Sequence, residues 1–142
     1  MPAYDEDVYA WAFEQARFLR EGQFDLLDIE HLADEIEDVG KREMRELAKQ
    51  MSVLLAYLLK WHYLPAERTG SRPAMIEARR LDVAEILDDS PSLRARIDEP
   101  RTSQLIWEDA LAQAAIESGH DSFPSECPWP IDNVLSEDWL PK

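Results

Sequence analysis

Residues 28–63 read DIEHLADEIEDVGKREMRELAKQMSVLLAYLLKWHY, and how this stretch is divided decides the fold. Apolar or small residues recur at Ile29, Ala33, Ile36, Gly40, Met44, Leu47, Met51, Leu54, Leu58 and Trp61, at spacings of four and three with one extra four. That is the seam of a helix packed in a bundle, with a single stutter. Asp28 is placed to cap its start, and Pro65 prevents continuation much past Tyr63. Gly40 is the weak point, since glycine inside a helix costs about 1 kcal/mol relative to alanine. A new helix starting at Lys41 would set Lys41 and Arg42 at a positive dipole end. A continuous helix instead gains Glu37–Lys41 and Asp38–Arg42 as i,i+4 pairs in the favourable order. One helix over 28–63 is therefore expected, with any kink falling at Gly40.

Its length has a consequence. Thirty-six residues at 1.5 Å each give a rod of ~54 Å. A compact 142-residue domain has a radius of gyration near ~14–15 Å, hence a diameter of only ~37 Å. Such a helix must protrude, bend or be covered by a second copy of the chain, so self-association along it is expected.

Working outward, Asp5 reads as the cap of a first helix, with Glu6 and Asp7 in its first turn and Gly22 just beyond its end. Val8, Trp11, Ala12, Gln15, Phe18 and Leu19 form a helical stripe that Tyr9, Phe13 and Ala16 widen, which predicts burial on more than one side. On the far side of the long helix, Arg72 to Asp89 reads as a helix with Pro73 near its start. A short turn then runs from Ser90-Pro91 to Ile97. Pro100 opens a further helix that ends at Ser118-Gly119. The tail from His120 to Lys142 contains four prolines and two tryptophans. Phe123, Cys127, Trp129, Ile131, Val134 and Trp139 make it too apolar for a free tail. It reads as an extended strap with one short helix from Pro130. Nothing shows strand alternation. The expected fold is an all-α, up-and-down helical bundle, one domain over 1–142, with one very long helix (about 28–63) and a C-terminal strap plus short helix.

Thirty acidic residues against fifteen basic give a net charge of −15. That excludes duplex nucleic acid as the expected partner, because phosphates must be neutralised by Lys and Arg. Docking on an anionic membrane is excluded likewise. Residues 1–40 carry twelve acids and two bases, whereas residues 41–80 carry four acids and nine bases. No apolar run approaches the ~20 residues a bilayer requires. The N-terminus has no basic and apolar leader pattern. The single cysteine cannot form an internal disulfide, which points to the cytoplasm.

Several short motifs together resemble the bacterial family catalogued as domain of unknown function twenty-nine. They are Tyr4-Asp5-Glu6-Asp7 with Tyr9 and Trp11, Glu35-Ile36-Glu37-Asp38-Val39-Gly40, Leu58-Leu59-Lys60-Trp61, Asp89-Ser90-Pro91-Ser92-Leu93, and Phe123-Pro124 with Cys127-Pro128-Trp129. They occur in order over nearly the whole chain. The resemblance implies an all-helical bundle of bacterial origin and no particular activity. In one place the chain departs from the family pattern. Arg72, followed by Pro73, stands where that family usually has a tryptophan in a basic stretch after the long helix.

Three candidate sites follow from residue type. Carboxylates with a histidine on one helix invite a metal-site reading, with Glu30, His31, Asp34 and Glu37 as the candidate ligands. Such ligands must face inward. With Ile36 at the centre of the buried stripe and ~100° per residue, His31, Asp34 and Asp38 fall on the opposite face, and Glu30 and Glu37 only flank it. A solvated acidic face is the better reading, and no cofactor is expected. Cys127 lies between Glu126 and Pro128, which supply no base to form a thiolate, so it reads as a buried anchor of the strap. The remaining candidate is a basic turn with aromatics, Lys60, Trp61, His62, Arg68, Arg72, Arg79 and Arg80, a composition typical of partner-binding surfaces. The expected function is a non-enzymatic helical interaction module that takes a protein partner and forms a homo-oligomer. The alternative is a metal-dependent enzyme using inter-helix carboxylates and His31.

Overall fold

The computed structural model describes residues 3–142, and every regular element among them is helical. The order is α1 (Val8–Arg20), α2 (Ile29–Tyr63), α3 (Arg72–Asp89), α4 (Leu93–Ile97), α5 (Pro100–Ser118) and α6 (Ile131–Leu135). Short 3-10 turns at Phe24–Leu26 and Pro65–Glu67 bracket α2. The all-helical reading and the long helix are thus observed, and α2 runs unbroken through Gly40. Glu37 and Lys41 approach to 4.0 Å on its surface, one of the two pairs that favour continuity.

Contacts divide the chain into two units, Met1–Arg42 and Glu43–Lys142. The second holds the hydrophobic core. Leu47, Met51, Leu54, Leu58 and Leu59 of α2 are buried with Ile76 and Val83 of α3, Leu93 and Ile97 of α4, Ile106 and Trp107 of α5, and Val134 of α6. Ala110 and Ala114, fully buried, keep one face of α5 small enough for close helix approach. Ser52 is the buried polar exception on α2, and its hydroxyl is satisfied by the Ile106 carbonyl at 3.1 Å. Pro100 fills the first turn of α5. Gly119 ends the helix in the left-handed region at φ 76°, where glycine avoids the Cβ penalty. The C-terminal segment packs on this core through Phe123, Cys127, Trp129 and Trp139, with α6 opening after Pro130 as the proline spacing predicts.

The first unit differs from expectation in three respects. The cap of α1 is Asp7, whose carboxylate accepts from the Ala10 amide at 3.1 Å, and not Asp5. Both residues can cap, and the Ala3 carbonyl decides between them by accepting from the Glu6 and Asp7 amides and holding residues 3–7 in a turn of their own. The helix is also not buried on more than one side. Trp11, Gln15 and Phe18 are buried, while Tyr9 and Phe13 remain 73% and 62% exposed. Ile36, expected at the centre of a buried stripe, is 71% exposed. The seam Ile29-Ala33-Ile36-Gly40 exists on α2, but the chain itself covers a different face there.

Candidate functional site

The face of α2 that the first unit does cover is polar and aromatic. The Asp28 carboxylate receives the indole N–H of Trp11 at 3.1 Å and lies 2.7 Å from Nδ1 of His31. Its own backbone amide donates to the side-chain oxygen of Gln15 at 2.7 Å. The His31 ring stacks on Tyr4 with centroids 4.1 Å apart and planes 13° from parallel. The Tyr4 hydroxyl in turn donates to Glu35. Asp28 also caps α2 through the His31 amide, at a long 3.5 Å, in the position read from the sequence.

The electrostatics follow from these contacts. The hydrogen bond from His31, aided by that of Trp11, holds the Asp28 carboxyl below the usual carboxylate range. The same bond to Asp28 pushes the His31 imidazole upward. Donation to Glu35, with the field of neighbouring carboxylates, raises the Tyr4 hydroxyl to about 12. Tyr4, Trp11, Gln15, Asp28, His31 and Glu35 each make at least one hydrogen bond within this cluster, so it acts chemically as a clamp between α1 and the start of α2. Sequence periodicity gave one signal for it, the glutamine at position 15 inside an otherwise apolar stripe.

Of the candidate metal ligands, Glu30, Asp34 and Glu37 are exposed on α2. His31 is taken up by Asp28 and Tyr4. No group of three or more His, Cys, Asp or Glu able to hold a metal ion occurs among the described residues.

The seven residues of the basic turn are placed in the second unit, with different surroundings. Lys60 is buried and its ammonium pairs with Glu117 at 2.9 Å. Arg80 is buried too. Its Nε donates to the Val134 carbonyl at 2.9 Å, and its other nitrogens donate to the Trp139 carbonyl and to Glu77. Arg72 pairs with Glu67 at 2.9 Å over the Tyr57 ring. Arg79 bonds Gln50 and Asp82. Arg68 is exposed; it donates to the Trp61 and His62 carbonyls that end α2, and it lies over the Trp61 indole. His62 packs edge-on against Tyr63 and Trp129. The structure therefore brings Trp61 and Arg68 together at an accessible helix end, while Lys60 is tied to Glu117 and Arg80 to carbonyls of the C-terminal segment.

Cys127 is half-buried beside a cavity of about 180 Å³ lined by Trp107, Trp129, Ile131 and Ser103 among others. Burial pushes its thiol upward, and its Sγ donates to the Trp129 carbonyl at 3.4 Å. That is the environment of an anchor rather than of a nucleophile.

The most unusual surface is apolar and lies in the first unit. Val8, Tyr9, Phe13 and Leu19 of α1 are exposed, as are Phe24 and Leu26 of the following turn and Ile29, Ile36 and Val39 of α2. Among the described residues these are nine of the fourteen exposed large hydrophobics, on less than a third of the chain. Among the described residues, Trp11 and Phe18 are the buried apolar residues there, against sixteen in the second unit. With ~100° per residue, the exposed apolar arc of α1 spans about 140° from Val8 to Phe13 and includes no carboxylate.

The model of one family, described as Domain of unknown function DUF29, matches residues 3–140. No curated protein matches the chain. Among solved structures, an alpha-helical protein of unknown function from Rhodospirillum rubrum ATCC 11170 is similar. It is 26% identical over 98% of this chain and 92% of its own length, with a TM-score of 0.59.

Proposed function

The chain belongs to the DUF29 family, and from its surface we propose that it is a helical protein-interaction module whose working face is the N-terminal unit. The observation that carries the reading is the concentration of nine exposed large apolar side chains on Met1–Arg42. Tyr9, Phe13 and Phe24 can bury ~150–250 Å² each, and at 73%, 62% and 63% exposed these three alone leave roughly 300–500 Å² in water. Soluble monomers rarely expose a patch beyond a few hundred Å² without a use for it. About 800 Å² per partner suffices for a specific interface. The partner is a protein, since a net charge of −15 disfavours nucleic acid and anionic membrane. No helix among the described residues is long and apolar enough to cross a membrane.

The accessible pair Trp61 and Arg68 supplies a second, smaller contact of the kind that anchors interfaces, an aromatic with an arginine. A single half-buried thiol accords with work in a reducing compartment such as the bacterial cytoplasm.

The test is site-specific photo-crosslinking in the native host. A photo-reactive side chain at Phe13 or Ile36 is expected to give a discrete crosslinked protein, and one at the exposed Leu81 is not. Equal labelling from all three positions, or none from any, overturns the reading.

A further inference from the structure

We propose that the partner of this face is a second copy of the chain, docked antiparallel along the N-terminal part of α2. The inference rests on the interaction-module reading above and narrows it to one occupant.

The stripe Ile29, Ala33, Ile36, Gly40 lies within about 60° on one side of α2, at ~100° per residue. Ile29 and Ile36 are largely exposed, and nothing stands within 4 Å of where a Cβ on Gly40 would be. Large and small residues alternate along it. In an antiparallel pair centred between Asp34 and Glu35, Ile29 falls opposite Gly40 of the second copy and Ala33 opposite Ile36. Each large side chain then meets a small one at all four levels, which is the fit that knobs in holes require. A two-fold interface must be complementary to itself, and this stripe is. A parallel pair would instead set isoleucine on isoleucine and glycine on glycine.

Ile29 and Ile36 supply part of the ~800 Å² per partner that a stable dimer buries. The seam continues along the same helix into Leu47, Met51, Leu54 and Leu58, where the chain's own core covers it. One face of one helix is thus covered at its C-terminal end and uncovered at its N-terminal end.

Charge sets a further signature. Glu30 and Glu37 flank the stripe on one side, with Lys41 as the single cation there. Bringing two such flanks together is repulsive, so added salt tightens this dimer by screening. A basic protein partner on the same acidic surface would be loosened by salt.

Sedimentation of the full chain tests the proposal. At tens of micromolar the expected mass is twice the 16.4 kDa of one chain, with tighter association at 0.5 M than at 0.05 M salt. Gly40→Leu is the informative variant. It has open space in the single chain and a better helix former, so folding survives, but it sets leucine against Ile29 of the second copy. A dissociation constant at least ten-fold weaker is expected, and likewise for Ile36→Asp. On a Cys127→Ser background, Ile29→Cys and Gly40→Cys chains should form a disulfide when mixed and not when oxidised alone. A dimer untouched by both Gly40→Leu and Ile36→Asp, or cross-linking of either cysteine variant alone in preference to the mixture, overturns the antiparallel pairing. A monomer at 100 µM overturns the second copy as partner. If that monomer still captures a discrete host protein from Ile36, the module reading stands and only the occupant is wrong. If it captures nothing, both fall.

Discussion

Arg80 on α3 donates from Nε to the carbonyl of Val134 at 2.9 Å, joining residues 54 positions apart through a guanidinium that is almost wholly buried. The same group reaches the Trp139 carbonyl and the Glu77 carboxylate, so one side chain holds both α6 and the residues after it. Arg80→Leu leaves two carbonyls and a carboxylate without their donor and is expected to destabilise the fold by about 3–5 kcal/mol. Arg80→Lys cannot make three directed bonds and should recover less than half of that. Urea unfolding curves check both. A leucine variant within about 0.5 kcal/mol of wild type would falsify the assigned role.

Two tryptophans on the core invite a ranking. Trp107 is 2% exposed, with its indole N–H on the Pro124 carbonyl at 3.1 Å, while Trp129 is only partly buried beside the cavity. A cost of 3–5 kcal/mol for truncation therefore belongs to Trp107→Ala, and Trp129→Ala should cost about 2–3 kcal/mol. Thermal melts of the pair decide the order; the reverse order would mean that Trp129 and not Trp107 closes the core.

The Asp28–His31 contact makes the N-terminal unit sensitive to pH in both directions. The His31 value is raised in the folded state, so its contribution is complete below the ordinary histidine value of 6.5 and fades as pH climbs through the raised value. The Asp28 value is lowered, so its contribution is complete above the ordinary 3.8 and fades as pH falls through the lowered value. Hydrogen-bond protection around Asp28 should be greatest between 3.8 and 6.5, and should decline as pH climbs from there through the raised His31 value. His31→Asn is expected to flatten the alkaline side of that profile, which NMR of the Trp11 indole proton would follow. An unchanged profile in the variant would assign the dependence to another group.

Cys127 should be slow toward thiol reagents. Burial both raises its thiol and restricts access, so labelling at pH 8 is expected to run about ten-fold or more below a free cysteine. Mild urea that loosens the C-terminal segment should restore the rate. A rate in the native state equal to that of free cysteine would place the thiol outside its pocket.

Gly119 ends α5 at φ 76°, a backbone conformation that disfavours a side chain. Gly119→Ala should therefore destabilise by about 1 kcal/mol, although nothing stands within 4 Å of the added methyl. Chemical denaturation provides the measurement, and a neutral or stabilising result would show that the turn relaxes without loss.

Much of the helical plan is legible in the sequence because it is written in strong local signals. Pro65, Pro73, Pro100 and Gly119 punctuate the helices where backbone chemistry demands, and the four-three spacing carries α2 past Gly40. What periodicity cannot reveal is which apolar face the chain covers with its own residues. Ile36 and Phe13 look like core residues by spacing and are exposed. His31 looks like a solvent residue and stacks on Tyr4 instead. Hydrogen-bonding side chains can satisfy one another across a contact that no hydropathy pattern marks. The basic turn was legible as composition only. Whether each cation is free depends on distant acceptors, such as Val134 for Arg80 and Glu117 for Lys60.

The single helix α2 serves as core at one end and carries unburied apolar residues at the other, and this shapes how it opens in time. Amides from Leu47 to Leu59 sit among buried side chains, so they exchange with solvent only when the whole core unfolds. Amides from Ala33 to Gly40 have little buried around them and exchange through local fraying at far lower cost. Hydrogen–deuterium exchange along one uninterrupted helix should therefore show a steep gradient, and a bound partner would abolish it by making the last part of the helix to order as slow to open as the first.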